Sequence, residues 1–460
     1  MSNQPKKAKL KKMIPVILAV ILIITCILLN MVMSKRYYSE KTGQLIGDQA
    51  LYHSIALGIL NSHSYYLSGN QKVDIGQAVS PFYPALVAVA YYIGGVNVKN
   101  PYILNVFFNC LTIILIFLTI KLITQKNLTS FLFSFIFIFY YPLWSMNFSI
   151  MMEVTTVFCL SLTIYLFTKY CYDKKIKYLY FSTAAFSILC LINNRFTVLL
   201  IVFIAFLLFY VLLNKNGSLK TFIMPVLIVI FTISPWFIRQ YIVYDQFIVF
   251  TPLWNNVLAE KIGLIERINI PSGADDKASE KPLKYEEYIE DLKSYNTADI
   301  QQTRISAFTL EKYKKLIYKS SNYENIYMAR LKKYFTLYYK DFQFVGPKDY
   351  RLVAPSSMPY KMVQILILLP LFLLSLLGIF MALKNRELFI LFMIALFFSH
   401  VLLHVLVHYI DRYRLTIIPV LLIIAAYGFS EALKMLKKSI FSKKSKIKYI
   451  FDLSNKSITK

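Results

Sequence analysis

The sequence predicts an all-α integral membrane protein of about ten transmembrane helices. Juxtamembrane helices are expected in the first outer loop, and a partly helical extracytoplasmic segment between spans seven and eight. Three observations carry this. The 460 residues are 57% hydrophobic and 16% aromatic, above the roughly 45–50% apolar content of soluble domains. Apolar runs of about 20 residues recur, each long enough to cross the hydrocarbon layer as one helix. The 51 Lys and Arg outnumber the 24 Asp and Glu, and they bunch in short loops and at both termini, as the positive-inside rule produces. Basic residues spread this way do not form a nucleic-acid-binding stripe. The tail with Lys443, Lys444, Lys446 and Lys448 suits anionic lipid headgroups instead.

The first run, Met13 to Met33, follows Lys6, Lys7, Lys9, Lys11 and Lys12. It is long for a signal-peptide core and no A-x-A site follows, so it reads as an uncleaved anchor entered from the cytoplasm. Residues 35–99 then lie outside. Within them Asp48 to Asn61 reads as an amphipathic helix, with Leu51, Ile55 and Leu60 roughly on one face. Pro81 to Gly95 is apolar but short, which fits an interfacial or re-entrant helix.

If that segment does not cross, the later runs alternate. They are Tyr102–Ile123, Leu128–Met146, Val154–Tyr170, Tyr178–Ile192, Phe196–Leu213 and Thr221–Phe237, and after a long outer segment Val363–Leu383, Leu388–Leu406 and Leu415–Leu433. Every short inner loop is then lysine-rich and both termini are cytoplasmic. An N-terminal membrane module (1–240) is expected, then an extracytoplasmic cap (241–360), C-terminal membrane helices (361–434) and a basic cytoplasmic tail (435–460). Inside the cap, Arg304–Tyr318 and Tyr323–Tyr339 read as helices from their three- and four-residue apolar spacing.

This topology gathers Asp48, His53, Glu153, Arg195, Arg239, His408, Asp411, Arg412 and Arg414 on the outer face. Ionisable groups at or within the membrane are costly, so each is a candidate for function. Charges at helix ends also serve as interfacial anchors. Asp48 reads as a general base that takes a proton from an acceptor hydroxyl, and equally as a helix N-cap. Glu153 opens a span, where the helix dipole favours a carboxylate. Together the two acids could bracket a substrate or hold a divalent cation. Arg195, Arg239, Arg412 and Arg414 suit a phosphate at the lipid–water boundary, since arginine offers planar bidentate donors. His53 and His408 have no metal-ligand spacing around them. Cys26, Cys110, Cys159, Cys171 and Cys190 lie in or beside apolar runs without CxxC spacing and read as small buried hydrophobes. No P-loop, G-x-G-x-x-G or G-x-S-x-G occurs, and a divalent cation is the one cofactor left open.

Taken in order, the motifs resemble the GT-C superfamily of membrane glycosyltransferases, in the branch of protein O-mannosyltransferases and lipid A aminoarabinose transferases. The resemblance rests on Gly47-Asp48-x-x-x-Tyr52 with Ala56, Ser80-Pro81-Phe82-Tyr83-Pro84 and Glu153 at a span start. It continues through Asn194-Arg195, Pro235-Trp236-x-x-Arg239 and Arg412-Tyr413-Arg414-x-x-x-x-Pro419. It implies a sugar moved from a polyprenyl phosphate donor to a lipid, wall-polymer or protein acceptor. Asp48 would be the catalytic aspartate, Glu153 the second acidic position, and Arg195 and Arg239 the phosphate contacts, with Tyr52, His53 and Tyr83 as further site candidates. Outside the cytoplasm no nucleotide sugar is supplied, so a lipid-borne donor with phosphate as leaving group is the chemistry that fits. Two departures stand out. Many relatives carry Asp-Glu where this chain has Asp48-Gln49, and a Pro-Pro is replaced by Ser80-Pro81. A polymerase or ligase of lipid-linked glycans would use similar donors and is a second reading. A transporter would call for inverted repeats or broken helices near the midplane, and neither is visible; a binding scaffold is the remaining alternative.

Overall fold

A computed structural model describes residues 4–37, 45, 48–65, 79–140, 142–143, 146–213, 219–244, 358–406 and 411–458, with a few positions between 328 and 335. Every regular element among them is helical. The two helices expected in 304–339, and most of the expected outer segment, lie outside the described residues.

Twelve α-helices follow in order: α1 Gln4–Tyr37, α2 Asp48–Ser62, α3 Phe82–Gly94, α4 Lys99–Thr124, α5 Asn127–Ile138, α6 Glu153–Asp173, α7 Ile176–Ile192, α8 Phe196–Leu213, α9 Leu219–Tyr244, α10 Met358–Asn385, α11 Leu388–Leu406 and α12 Ile418–Ile458. Two 3₁₀ turns, Met146–Phe148 and Asp411–Ile417, precede α6 and α12. Seven helical stretches among the described residues are long and apolar enough to cross a membrane: 13–32, 99–124, 153–173, 221–243, 365–385, 388–405 and 412–439. Four shorter apolar helices join them.

Two helix lengths add detail to the expected picture. Within the run read as a span from Leu128 to Met146, the continuous helix covers Asn127–Ile138, and residues 142–143 are again helical. Twelve residues rise about 18 Å, short of the roughly 30 Å hydrocarbon layer. The stretch expected as a basic tail over 435–460 is helical as far as Ile458, as the continuation of α12.

In hydrocarbon each polar group needs an internal partner. Hydroxyls inside the helices therefore fold back to the preceding turn: Thr119 Oγ1 donates to the Leu115 carbonyl (2.7 Å), Thr163 to Cys159 (2.9 Å) and Thr183 to Leu179 (3.0 Å). The centre is aromatic, with Phe167 (α6), Phe203 and Phe206 (α8) and Phe392 (α11) packed ring to ring at centroid separations of 4.6–6.0 Å. α10 crosses α12 at a glycine pair. A Cβ on Gly428 would collide with the Leu374 carbonyl and the Gly378 backbone, and one on Gly378 with the Ile424 carbonyl.

Buried amides set the segment that leads into α6. Asn147 Nδ2 donates to Asn30 Oδ1 of α1 at 2.9 Å, and Asn105 Nδ2 of α4 donates to the Ser149 carbonyl at 2.8 Å. Both are buried, where an unmet amide costs about 1–3 kcal/mol. They hold the 146–152 segment against α1 and α4, and so fix where Glu153 begins α6.

Candidate active site

α2 opens on Asp48 and α6 opens on Glu153, each at a helix N-terminus where the backbone dipole favours negative charge. The 3₁₀ turn Asp411–Ile417 packs on α6 and brings Arg412 between the two acids. Its Nη2 pairs with Asp48 Oδ2, its Nε lies 3.3 Å from Glu153 Oε1, and its Nη1 lies 3.9 Å from Met151 Sδ. The Nε–Oε1 approach is an ion pair without hydrogen-bond alignment, and both Glu153 oxygens lack a hydrogen-bond partner among the described residues. Exposure separates the two acids: the Glu153 side chain is 2% exposed and that of Asp48 is 42% exposed. Asp48 is thus open to solvent, whereas Glu153 is closed off and paired with Arg412.

Asn193 and Asn194 end α7, and the Asn193 side-chain oxygen accepts the Arg195 amide at 3.3 Å. This turn sends the Arg195 side chain flat onto Tyr413, with the guanidinium carbon 3.3 Å from the ring centroid. Stacking uses the face of the guanidinium and leaves its N–H edge to bind oxygen atoms. Arg412 lies 5.7 Å from the same ring, so Tyr413 sits between the two cations.

Tyr52 is buried and meets Tyr83 edge-on at 4.9 Å. Burial first, and then the charges of Asp48 and Glu153, push its phenol well above the ordinary value, so it stays protonated. His53 belongs to a different contact. Its Nδ1 lies 2.7 Å from the Tyr91 hydroxyl, joining α2 to α3, and burial pulls its imidazole below the ordinary value. Arg239 is carried by a second aromatic pair, 4.9 Å from the Trp236 ring and 5.4 Å from that of Tyr65. Tyr65 in turn donates to the Ser80 carbonyl at 3.0 Å, which ties α9 to the turn before α3. Arg414 is buried in the same turn as Arg412. His408, among the residues singled out from the sequence, lies outside the described residues, and of Asp411 only the backbone is described.

Two histidines join the site that the sequence did not point to. His400 and His404 of α11 are buried. Their Nε2 atoms lie 3.2 Å apart, His400 Nε2 is 3.0 Å from Thr416 Oγ1, and the His404 ring lies 5.2 Å from that of Tyr413. Thr416 donates its hydroxyl to the Tyr413 carbonyl at 2.8 Å. The pair thus backs the ring on which Arg195 rests. Their four-residue spacing inside an otherwise apolar helix was the available signal.

With the geometry in view, the comparisons place the fold. The structure aligns with the oligosaccharyltransferase of Archaeoglobus fulgidus in the apo form at a TM-score of 0.53 and 14% identity, over 95% of this chain and 52% of that one. It aligns with ArnT of Cupriavidus metallidurans in the apo state at a TM-score of 0.50 and 12% identity, over 89% of this chain and 59% of that one. The chain therefore has the GT-C fold of integral membrane glycosyltransferases. It spans less than two thirds of the length of either protein. Residues 78–238 match the family described as dolichyl-phosphate-mannose-protein mannosyltransferase. The matched stretch contains Glu153 and Arg195 and stops short of Asp48 and Arg412. No curated protein sequence matches the chain.

Proposed function

We propose that the protein moves a sugar from a polyprenyl-phosphate donor to an acceptor hydroxyl or amine at the extracytoplasmic face of the membrane. The observation that carries this is the division of labour among the charges. Arg412 is spent on two carboxylates, while Arg195 is stacked on Tyr413 with its N–H edge left for a ligand. The partly exposed Asp48 accepts the acceptor's proton as it attacks the anomeric carbon. The bond to the lipid phosphate breaks, and Arg195 stabilises the charge gathering on the departing phosphate oxygen. Arg412 holds the Asp48 side chain in place through their ion pair. Arg239, carried by Tyr65 and Trp236, and the buried Arg414 complete the cationic set for the donor phosphate. The GT-C fold and the mannosyltransferase-family match over 78–238 support the class of reaction. The face is the one that the lysine-rich inner loops imply, and a donor on that face has to arrive on a lipid.

Mass spectrometry of envelope glycans tests this in a strain lacking the gene, complemented with wild type or Asp48→Asn. A sugar lost on deletion, restored by wild type and absent with Asp48→Asn is expected. Glycans unchanged by the deletion would overturn the transferase assignment, and restoration by Asp48→Asn would move the base elsewhere.

A further inference from the structure

Two acids that approach from different helices are a natural seat for a divalent cation, which takes six or more oxygen ligands at about 2.0–2.6 Å. The residues at this site do not fit one. Three nitrogens of Arg412 point to three different partners: Asp48, Glu153 and the Met151 sulfur. The planar guanidinium already fills the gap between the carboxylates. Gln49, the neighbour that could add an oxygen, uses its Oε1 to accept the Ile150 amide at 3.3 Å. Among the described residues no group of three or more His, Cys, Asp or Glu side chains could hold a metal ion. Glu153 is nearly closed off from solvent, with Arg412 as its ion-pair partner. A buried carboxylate demands such a neighbour, because an uncompensated charge in that setting costs several kcal/mol.

We infer that Arg412 is the site's resident cation, standing where a divalent metal would otherwise bridge Asp48 and Glu153, and that the native protein binds no metal there. Arg412 is a positioning residue: it neutralises Glu153 and fixes the carboxylate of Asp48. Its part in turnover rests on the transferase function proposed above, while the absence of a metal does not. A covalently attached cation cannot be chelated away or diluted out. Removing it leaves two facing carboxylates around a gap, and those are the ligands a hard cation seeks. The substitution that disables the native site should therefore create a metal site.

The test uses the purified full-length protein in nanodiscs, titrated with Mn²⁺ and followed by electron paramagnetic resonance of the free ion. Wild type should take up no Mn²⁺ at micromolar concentrations. Arg412→Gln should take up about one equivalent, lost again in Arg412→Gln/Glu153→Gln. A wild-type protein that binds Mn²⁺ through Asp48 and Glu153 would overturn the inference, as would a folded Arg412→Gln protein that binds none. If Arg412→Gln does not fold, the wild-type titration decides alone. The readout needs no turnover, so failure of the transferase function, seen as unchanged envelope glycans, is distinguishable from failure of this inference.

Discussion

Cutting the Arg412–Glu153 pair should destabilise the protein far more than cutting the Arg412–Asp48 pair, although both share one guanidinium. Glu153 is 2% exposed and Arg412 23% exposed. Losing one partner of a buried pair costs about 3–5 kcal/mol, because the other charge is left stranded. The lower end, about 3 kcal/mol, applies here because Arg412 retains some contact with solvent. Asp48 is 42% exposed, and pairs of that kind contribute only about 0–1 kcal/mol. Arg412→Met should therefore lose about 3 kcal/mol, and Asp48→Asn less than about 1 kcal/mol. The double variant Arg412→Met/Glu153→Leu should regain most of the loss, since replacing both charges with apolar groups leaves nothing stranded. Reversible SDS unfolding in mixed micelles measures all three. The reasoning is refuted if Arg412→Met is as mild as Asp48→Asn, or if the double variant is no more stable than Arg412→Met.

Further outcomes follow from other contacts. Tyr413→Leu removes the ring under Arg195, a contact worth about 0.5–2 kcal/mol, and should raise KM for the lipid donor roughly 2- to 30-fold while Tyr413→Phe stays near wild type. Gly428→Val places a side chain against the Leu374 carbonyl and the Gly378 backbone, and should lower thermal stability by about 1–3 kcal/mol or more as α10 and α12 part. His53 is held below its ordinary value by burial, so the unfolded chain binds its proton first on acidification. Its contribution to stability should be complete above pH about 6.5 and fall as pH drops through that value. His53→Phe should flatten that part of the profile in thermal melts at graded pH. A cysteine at position 48, in a background without Cys26, Cys110, Cys159, Cys171 and Cys190, should react with an impermeant thiol reagent in intact cells. Reaction only after lysis would invert the proposed orientation.

Much of this architecture can be read from residue order, because a helix in hydrocarbon announces itself by length and apolarity. Asp48 opening one helix and Glu153 opening another follow from where polar segments meet apolar ones. Apolar run length says less at Leu128–Met146, where the continuous helix covers only Asn127–Ile138. At the site, the residue types were legible and their pairings were not. Four arginines read alike in sequence, since each sits near a span end. Only packing separates Arg412, committed to two acids, from Arg195, laid on Tyr413, and from Arg239, carried by Tyr65 and Trp236. The pair His400 and His404 escaped notice for a related reason: two histidines on one face of an apolar helix look like buried packing until Thr416 and Tyr413 are brought beside them.

The most direct measurement of the central claim is release of polyprenyl phosphate from lipid-linked sugar donors by protein reconstituted in liposomes with envelope extract as acceptor. Wild type should release it, and Asp48→Asn, folded and of near-native stability, should be slower by a factor of about 10²–10⁴. Equal rates from the two proteins would contradict the account.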